Sequence, residues 1–213
     1  MQEPLAHWDA AIERFCFAKF AESSASPEVL ARTEPAVAFL CTDLHIPRPK
    51  IVWMRPAAAA TAAAKLGRNA LDIMLEERDP DFTRYRSDIL EGCTPLRPDL
   101  HEVWIRSELN NWPDLECVVL HELRHAWQKL HLYEEIFRDE CRAEGDAYPY
   151  GYEALIRFLE SQRKLTTEVR DQIDAIRRRK EVNFRTRWPH GRFEILPESH
   201  PKPVRTTRLP RAE

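Results

Sequence analysis

The chain has 213 residues, enough for one domain of ordinary size, and its 43% hydrophobic and 31% charged residues are typical of a globular protein and not of a disordered one. Only 5 glycines stand beside 16 prolines, which argues against a glycine-turned β-barrel and favours helices joined by proline-containing loops. Because no run of about 18 apolar residues and no secretory leader is visible, we expect a cytoplasmic protein without a membrane span.

The net charge of −3 conceals an uneven distribution along the chain. From Arg163 to the C-terminus there are 14 Lys/Arg and 7 Asp/Glu, so this segment carries +7 and the residues before it carry −10. The run Arg177-Arg178-Arg179-Lys180 is followed by the aromatic residues Phe184 and Trp188. Such a segment is typical of a solvated helix and tail, but it also suits contact with nucleic acid or with an acidic partner.

Five cysteines are spread along the chain without any CxxC pair. An odd and dispersed set predicts reduced thiols that pack like small apolar side chains, not a disulfide framework or a zinc ribbon. The five are Cys16, Cys41, Cys93, Cys117 and Cys141.

Apolar periodicity and capping residues predict a mostly helical chain with two strands. Ser26 is the expected N-cap of one helix, and Thr166 or Thr167 that of the last. The predicted helices, in chain order, are 5–22, 26–44, 56–77, 114–130, about 134–148, 152–162 and 166–179. The predicted strands are 50–54 and 101–106.

Prolines mark the predicted interruptions. Pro149 is expected to break the helical pattern between 148 and 152, because proline lacks the amide hydrogen that an interior helical turn needs. Residues 79–99 are predicted to be mostly loop. The proline-rich part from Trp188 onward is predicted to be a loosely ordered tail.

The most informative segment is His121-Glu122-Leu123-Arg124-His125, an HExxH motif within a predicted helix. Residues four apart share one face of a helix, so His121 and His125 can present their imidazoles to one metal ion. Glu122 lies at the edge of that face, where it can take a proton from a zinc-activated water without binding the metal itself. Arg124 is expected to face solvent.

A catalytic zinc site needs a third protein ligand, and three residues are candidates. His131 would complete HExxHxxxxxH, which resembles the metzincins, but Gln128 stands where they have a glycine. All three methionines also precede the motif, whereas metzincins place a methionine turn after it. Glu140 and Glu144 lie four residues apart on the next predicted helix. A resemblance to the gluzincins favours Glu144 by its spacing, and that family's Glu-x-x-Ala pattern fits both glutamates.

HExxH followed at this distance by a glutamate resembles the gluzincins, the thermolysin-like and aminopeptidase-like zinc peptidases. The resemblance covers about 104–159, and the residues from His121 to Gln128 also look like small cytosolic zincins of the ImmA/IrrE-like and SprT-like groups. It implies that His121, His125 and Glu144 bind zinc and that Glu122 is the general base. The function implied is a zinc-dependent metallopeptidase acting on a peptide or protein substrate.

The expected fold is α+β and mostly helical, a zincin-like domain with a small sheet beside the HExxH helix. In such families the strand predicted here at 103–106 binds an extended peptide by adding it to the sheet. We expect 1–100 to form a helical N-terminal part, 101–162 the zincin core with the metal site, and 163–213 a basic helix with a proline-rich tail.

Further roles and alternatives stay open at this stage. Asp146 could orient a histidine ligand, and three tyrosines near the third-ligand helix could stabilise an oxyanion or simply pack. They are Tyr148, Tyr150 and Tyr152. Cys117 and Cys141 could instead form a structural site with the two histidines, which would leave Glu122 without a role. The alternative function is a non-catalytic zincin-fold binding or regulatory module that contacts nucleic acid or an acidic partner through the basic segment.

Overall fold

The computed structural model describes residues 20–56, 91–94, 101–107, 109–132 and 139–197. Within these ranges the chain forms four strands and four helices, so the protein is mostly helical with a small sheet, as predicted. In chain order they are β1 (Phe20–Ser23), α1 (Pro27–Asp43), β2 (Lys50–Pro56), β3 (Gly92–Cys93), β4 (Glu102–Arg106), α2 (Asp114–His131), α3 (Glu140–Ser161) and α4 (Thr167–Arg187). None of the helices in the described ranges combines the length and the apolar character that a membrane span requires.

Local signals explain where two of the helices begin. The hydroxyl of Ser26 accepts a hydrogen bond from the amide of Val29 at the start of α1, and that of Thr166 accepts one from the amide of Val169 at the start of α4. Each bond satisfies an amide that the first helical turn leaves without a partner. Both predicted caps are therefore confirmed.

The sheet has the strand order β1-β2-β4-β3. Its two central strands, β2 and β4, run parallel, and the edge strands β1 and β3 are antiparallel to their neighbours. Val103, Trp104 and Ile105 of β4 are all buried, as expected for a strand covered on both faces. The sequence predicts that β4 offers an edge to an extended peptide, but β2 pairs with one edge of β4 and β3 pairs with the other. Beyond β4, the outermost strand among the described residues is β3.

Helix α2 is the centre of the core. It packs against α1, the sheet and α3, and its apolar side chains are almost completely buried: Leu115, Val119, Leu120, Leu123, Ala126 and Trp127. Gly151 allows α3 to approach closely, since a Cβ atom at this position would lie 3.0 Å from the backbone nitrogen of His121. The backbone that carries the first histidine of the motif is therefore held directly against α3.

The predicted break at Pro149 is wrong, because α3 runs without interruption from Glu140 to Ser161. Pro149 cannot donate to the carbonyl of Gly145, four residues earlier. The amide of Glu194 donates to that carbonyl instead, at 2.9 Å. A partner from a distant part of the chain thus replaces the missing helical hydrogen bond. The proline therefore destabilises α3 less than it would if the carbonyl of Gly145 had no partner.

The described part of the tail is packed onto the body, contrary to the prediction. Residues 188–197 have no regular secondary structure, but Phe193 and Ile195 pack against the core. The chain approaches α3 so closely that a Cβ atom on Gly145 would lie 2.4 Å from the carbonyl oxygen of Arg192. Glycine at position 145 therefore makes this contact possible.

Other predicted elements differ in extent or lie outside the described residues. The helix predicted to end at residue 22 is replaced from Phe20 onward by β1, because the edge of β2 offers hydrogen bonds that outweigh local periodicity. The last helix continues eight residues beyond the predicted 179, to Arg187. Of the helix predicted at 56–77, only Pro56 is described, and it ends β2; residues 57–77 lie outside the described residues. Most of the loop predicted at 79–99 also lies outside them, and its described part, 91–94, contains β3.

Gly145→Ala should destabilise the protein although alanine is the better helix former. The added Cβ would collide with the carbonyl of Arg192 and push residues 188–197 away from α3, which leaves the Gly145 carbonyl without a donor. We expect a loss of roughly 1–3 kcal/mol in the free energy of unfolding, measured with urea. Asn183→Ala, at an exposed position of α4, is the matched control and should cause no loss. Equal effects of the two changes would contradict the close contact.

Candidate metal centre

Three potential metal ligands meet where α2 packs against α3. His121 and His125 lie one turn apart on α2, and Glu144 lies near the start of α3. Each offers one ligand atom, and these atoms all lie within 4.8 Å of one another. No other group of this kind occurs in the ranges that the structure describes.

The separations between the ligand atoms fit a metal ion. Nε2 of His121 lies 3.0 Å from Nε2 of His125, and the oxygens of Glu144 lie 3.3 Å from the first nitrogen and 3.6 Å from the second. A tetrahedral zinc ion with bonds of about 2.0–2.2 Å separates its ligand atoms by roughly 3.3 Å. Oε2 of Glu144 is also buried without a hydrogen-bond partner among the described residues, and a cation would compensate it. The cluster could therefore hold a metal ion.

Electrostatics keeps a negative charge between the two imidazoles. Burial alone would raise the pKa of Glu144, but the neighbouring His125 and His121 outweigh burial and hold that pKa well below its usual range. Burial alone would lower the pKa of His125, but the carboxylates of Glu144 and Glu122 and the side chain of Gln128 raise it to about 9. An ionised glutamate at this position attracts a proton or a metal cation to the same place.

Glu122 lies beside the cluster and is held by the segment that contains β3. The hydroxyl of Thr94 lies 2.9 Å from Oε2 of Glu122, while Oε1 lies 3.9 Å from Nε2 of His121. Gly92 packs so closely that a Cβ atom there would be 2.6 Å from Cγ of Glu122. Burial raises the pKa of Glu122 against the opposing effect of the two histidines. The carboxylate is therefore fixed with one oxygen anchored and the other directed toward the ligand atoms.

His125 is oriented by hydrogen bonds that continue into α3. Its Nδ1 lies 2.7 Å from Oε1 of Gln128, whose amide nitrogen donates to Oδ2 of Asp146 at 2.6 Å and to the carbonyl of Ala143 at 3.0 Å. Asp146 is thus connected to His125 through Gln128 and not by direct contact. From the sequence, Gln128 is notable only as a departure from the metzincin pattern.

The prediction that Arg124 faces solvent is wrong. Its side chain is completely buried and forms two hydrogen bonds to Asp146, at 2.8 and 3.0 Å. The guanidinium lies between the rings of Trp127 and Tyr150, 3.9 and 4.1 Å from their centroids. Arg124 stands inside the motif, but only the packing of α2 against α3 shows that its side chain has a buried partner.

The cluster opens into a cavity of about 170 Å³ between α2, α3, α4 and the β3 segment. Ile176, Lys180 and Arg187 of α4 also line this cavity. Three ion pairs hold this helix over the cavity, namely Lys180 with Glu91, Arg179 with Asp114 at 2.7 Å, and Arg187 with Glu140 at 2.6 Å. The sequence analysis did not predict that α4 lines the cavity beside the candidate ligands. The opposite charges of the C-terminal segment and of the residues before it could have indicated that the two pack together.

The other candidate ligands lie elsewhere. His131 packs on Trp127, with ring centroids 5.2 Å apart, and Glu140 is paired with Arg187. The cysteines of the proposed structural site are not part of the cluster: Cys117 is buried in α2, and Cys141 lies against Gly191. Glu144 is the only one of the three candidates for the third ligand that the structure brings to the two histidines.

The three tyrosines differ in their surroundings. The ring of Tyr148 packs on His121 with centroids 4.3 Å apart, and Tyr148 lines the cavity, as does Tyr152. Burial raises the pKa of both phenols, so both are neutral at physiological pH. Tyr150 instead packs under Arg124. Two of the three tyrosines are thus placed where they can contact a bound molecule.

Comparison of the chain with protein-family models, with curated proteins and with solved structures gives no significant match in any of the three. The resemblance to zincins therefore rests on the HExxH residues and on the cluster that they form with Glu144. The function has to be inferred from the chemistry of this site.

The geometry predicts which residues bind the metal. Glu144→Ala should weaken zinc binding by more than the roughly 10–100-fold that loss of a ligand's outer partner costs, because only two histidines and water would remain around the ion. Glu140→Ala and His131→Ala are the controls and should keep one zinc per chain. Elemental analysis and competition with a chromophoric chelator measure both effects. If His131→Ala emptied the site while Glu144→Ala did not, the ligand set would be wrong.

Proposed function

We propose that this protein is a zinc-dependent peptide hydrolase with a gluzincin-like site. The observation that supports the proposal most directly is the cluster of two histidines and one glutamate with the fixed carboxylate of Glu122 beside it. Three protein ligands with one open position are typical of catalytic zinc sites, whereas structural sites usually have four.

His121, His125 and Glu144 would hold the ion, and Glu122 would act as the general base. A zinc ion bound there supplies Lewis acidity, which lowers the pKa of a water ligand toward 7 and polarises a carbonyl group. Glu122 takes the proton from the attacking water and later passes it to the leaving amine. Its Oε1 atom is available for this transfer, because the hydroxyl of Thr94 contacts Oε2.

The proposed substrate is a peptide or an unfolded protein segment. The cavity is too small for a folded partner, and α4 contributes to its lining, so a peptide substrate would have to enter as an extended chain or a terminus. Tyr148 and Tyr152 line the same cavity, so either hydroxyl is a proposed donor to a polarised carbonyl. A cytoplasmic location stays a prediction from the sequence.

The binding-module alternative stays a prediction too. Its basic segment is partly used within the molecule, because Arg179, Lys180 and Arg187 of α4 pair with acidic residues of the body. These ion pairs reduce the positive charge that α4 offers to a nucleic acid. A binding module gives no reason for a carboxylate such as Glu122 to lie beside the proposed metal ligands. The hydrolase proposal does, because it needs a general base there.

Glu122→Gln should abolish most of the hydrolysis while leaving the metal in place. Glutamine keeps the size of the side chain but cannot accept the proton, so the rate should fall by at least roughly 100-fold, the lower range for loss of a general base. Turnover of fluorescein-labelled unfolded casein and zinc content are measured on the same preparations. His125→Ala is the contrasting variant and should lose both. Cleavage by Glu122→Gln at the wild-type rate would exclude Glu122 as the base, and zinc-loaded wild type without activity would favour the binding module.

Thr94→Val should reduce turnover without reducing zinc content. Valine has nearly the same shape as threonine but no hydroxyl, so Oε2 of Glu122 loses its anchor and the carboxylate becomes free to rotate. A fall of about 10-fold in turnover corresponds to about 1.4 kcal/mol, the size of one hydrogen bond to a charged group. Thr42→Val, which removes an exposed hydroxyl on α1, is the control. Unchanged turnover in Thr94→Val would show that the anchor is not needed.

A further inference from the structure

A buried chain of polar side chains connects one metal ligand to the C-terminal segment. It runs from His125 through Gln128 to Asp146 and ends at Arg124. Gln128, Asp146 and Arg124 are each completely buried. Buried polar groups in such numbers are costly unless all of them are paired, and so their arrangement is strongly determined.

The hydrogen-bond pattern has one consistent direction. A carboxylate and a carbonyl can only accept, so the atom of Gln128 that faces Asp146 and Ala143 has to be its amide nitrogen. Its oxygen then faces His125, and Nδ1 of His125 has to carry the hydrogen that bonds to it. Nε2 of the same ring is left to face the metal cluster. The network thereby selects the tautomer of His125 that can bind a metal through Nε2.

His121 lacks this support. Its Nδ1 atom is buried and has no hydrogen-bond partner among the described residues, and its ring is held by packing on Tyr148. Orientation by hydrogen bonds therefore falls on one of the two histidines. This asymmetry makes His125 the ligand whose position depends on residues outside the cluster.

The C-terminal segment completes the network. The carbonyl of Leu196 accepts from Arg124 at 2.9 Å, and the amide of Leu196 donates to Oδ1 of Asp146 at 2.8 Å. Asp146 thus receives hydrogen bonds from three residues in two parts of the chain, namely Arg124 and Gln128 of α2 and Leu196 of the segment 188–197. With its oxygens occupied in this way, the carboxylate has a single orientation.

We propose that Arg124, Asp146 and Gln128 form a positioning network that sets the zinc affinity of the site by holding His125 as its Nδ1-protonated tautomer, with Leu196 as its anchor in the C-terminal segment. The inference rests on the proposed metal site and adds to it the residues that determine how tightly the ion is bound. Outer partners of metal-bound histidines fix ring orientation and raise ligand basicity. Here the neutral side chain of Gln128 contacts the ring of His125, and the carboxylate of Asp146 acts on His125 only through Gln128.

Gln128→Met tests the network because methionine fills the same volume but can neither accept from His125 nor donate to Asp146. We expect its dissociation constant for zinc to rise about 10–100-fold, measured by competition with a chromophoric chelator. In the zinc-loaded protein labelled with ¹⁵N-histidine, the slowly exchanging Nδ1 hydrogen of His125 should be seen in wild type and lost in the variant. Neither measurement depends on hydrolysis.

Glu116→Gln is the matched control. Glu116 is also buried on α2, but it pairs with Arg32 at 3.2 Å and has no contact with the network. The change should alter stability while leaving the zinc dissociation constant unchanged. Gln128→Asn keeps the amide but is one methylene too short to span from His125 to Asp146, so it should also weaken zinc binding and serves if Gln128→Met fails to fold.

The outcomes separate the two proposals. Wild type that binds no zinc would overturn the metal site and the network with it. Wild type that binds zinc, together with a Gln128→Met protein of equal affinity and an unchanged Nδ1 signal, would overturn the network alone. An equal loss of affinity in Glu116→Gln would also overturn it, because the effect would then follow from general destabilisation of α2.

Discussion

The completely buried ion pair between Arg124 and Asp146 is the interaction on which the rest of the structure depends. Charges removed from water are stable only when their remaining hydrogen-bonding positions are occupied, and loss of one partner of such a pair costs roughly 3–5 kcal/mol. Here the two aromatic rings beside the guanidinium and the backbone of Leu196 complete the surroundings. The pair therefore joins α2, α3 and the C-terminal segment, and the candidate metal ligands His121, His125 and Glu144 lie on the two helices that it joins.

The uneven charge of the chain acquires a structural explanation in the folded molecule. The basic helix α4 lies on an acidic body, and three of its cations pair with Glu91, Asp114 and Glu140. These pairs are partly exposed and individually weak, but they act together with the buried ring of Phe184 to seat the helix over the cavity. The same contacts that satisfy the charge of α4 also restrict what can reach the cluster.

Much of the fold could be predicted because its signals are local. A hydroxyl that caps a helix, as at Ser26, acts on amides only three residues away, and apolar periodicity reports directly on the buried face of α2. The errors occur where a distant partner changes the local balance. Pro149 does not end α3, because the amide of Glu194 donates to the Gly145 carbonyl the hydrogen bond that Pro149 cannot donate. Phe20 joins a strand because β2 offers it an edge.

For the candidate site the sequence by itself determined that His121, Glu122 and His125 share one side of a helix, since 3.6 residues per turn place positions four apart together. It reduced the third ligand to three residues without deciding among them. Only the tertiary structure decided that Glu144 faces the histidines and that Arg124 is buried. It also decided that Thr94 contacts Glu122 and that Gln128 contacts His125. The physical reason is that helical periodicity fixes the direction of a side chain within its own helix, whereas its partner depends on how two helices pack. That packing is set by contacts such as Gly151 against the backbone of His121, which no local pattern records.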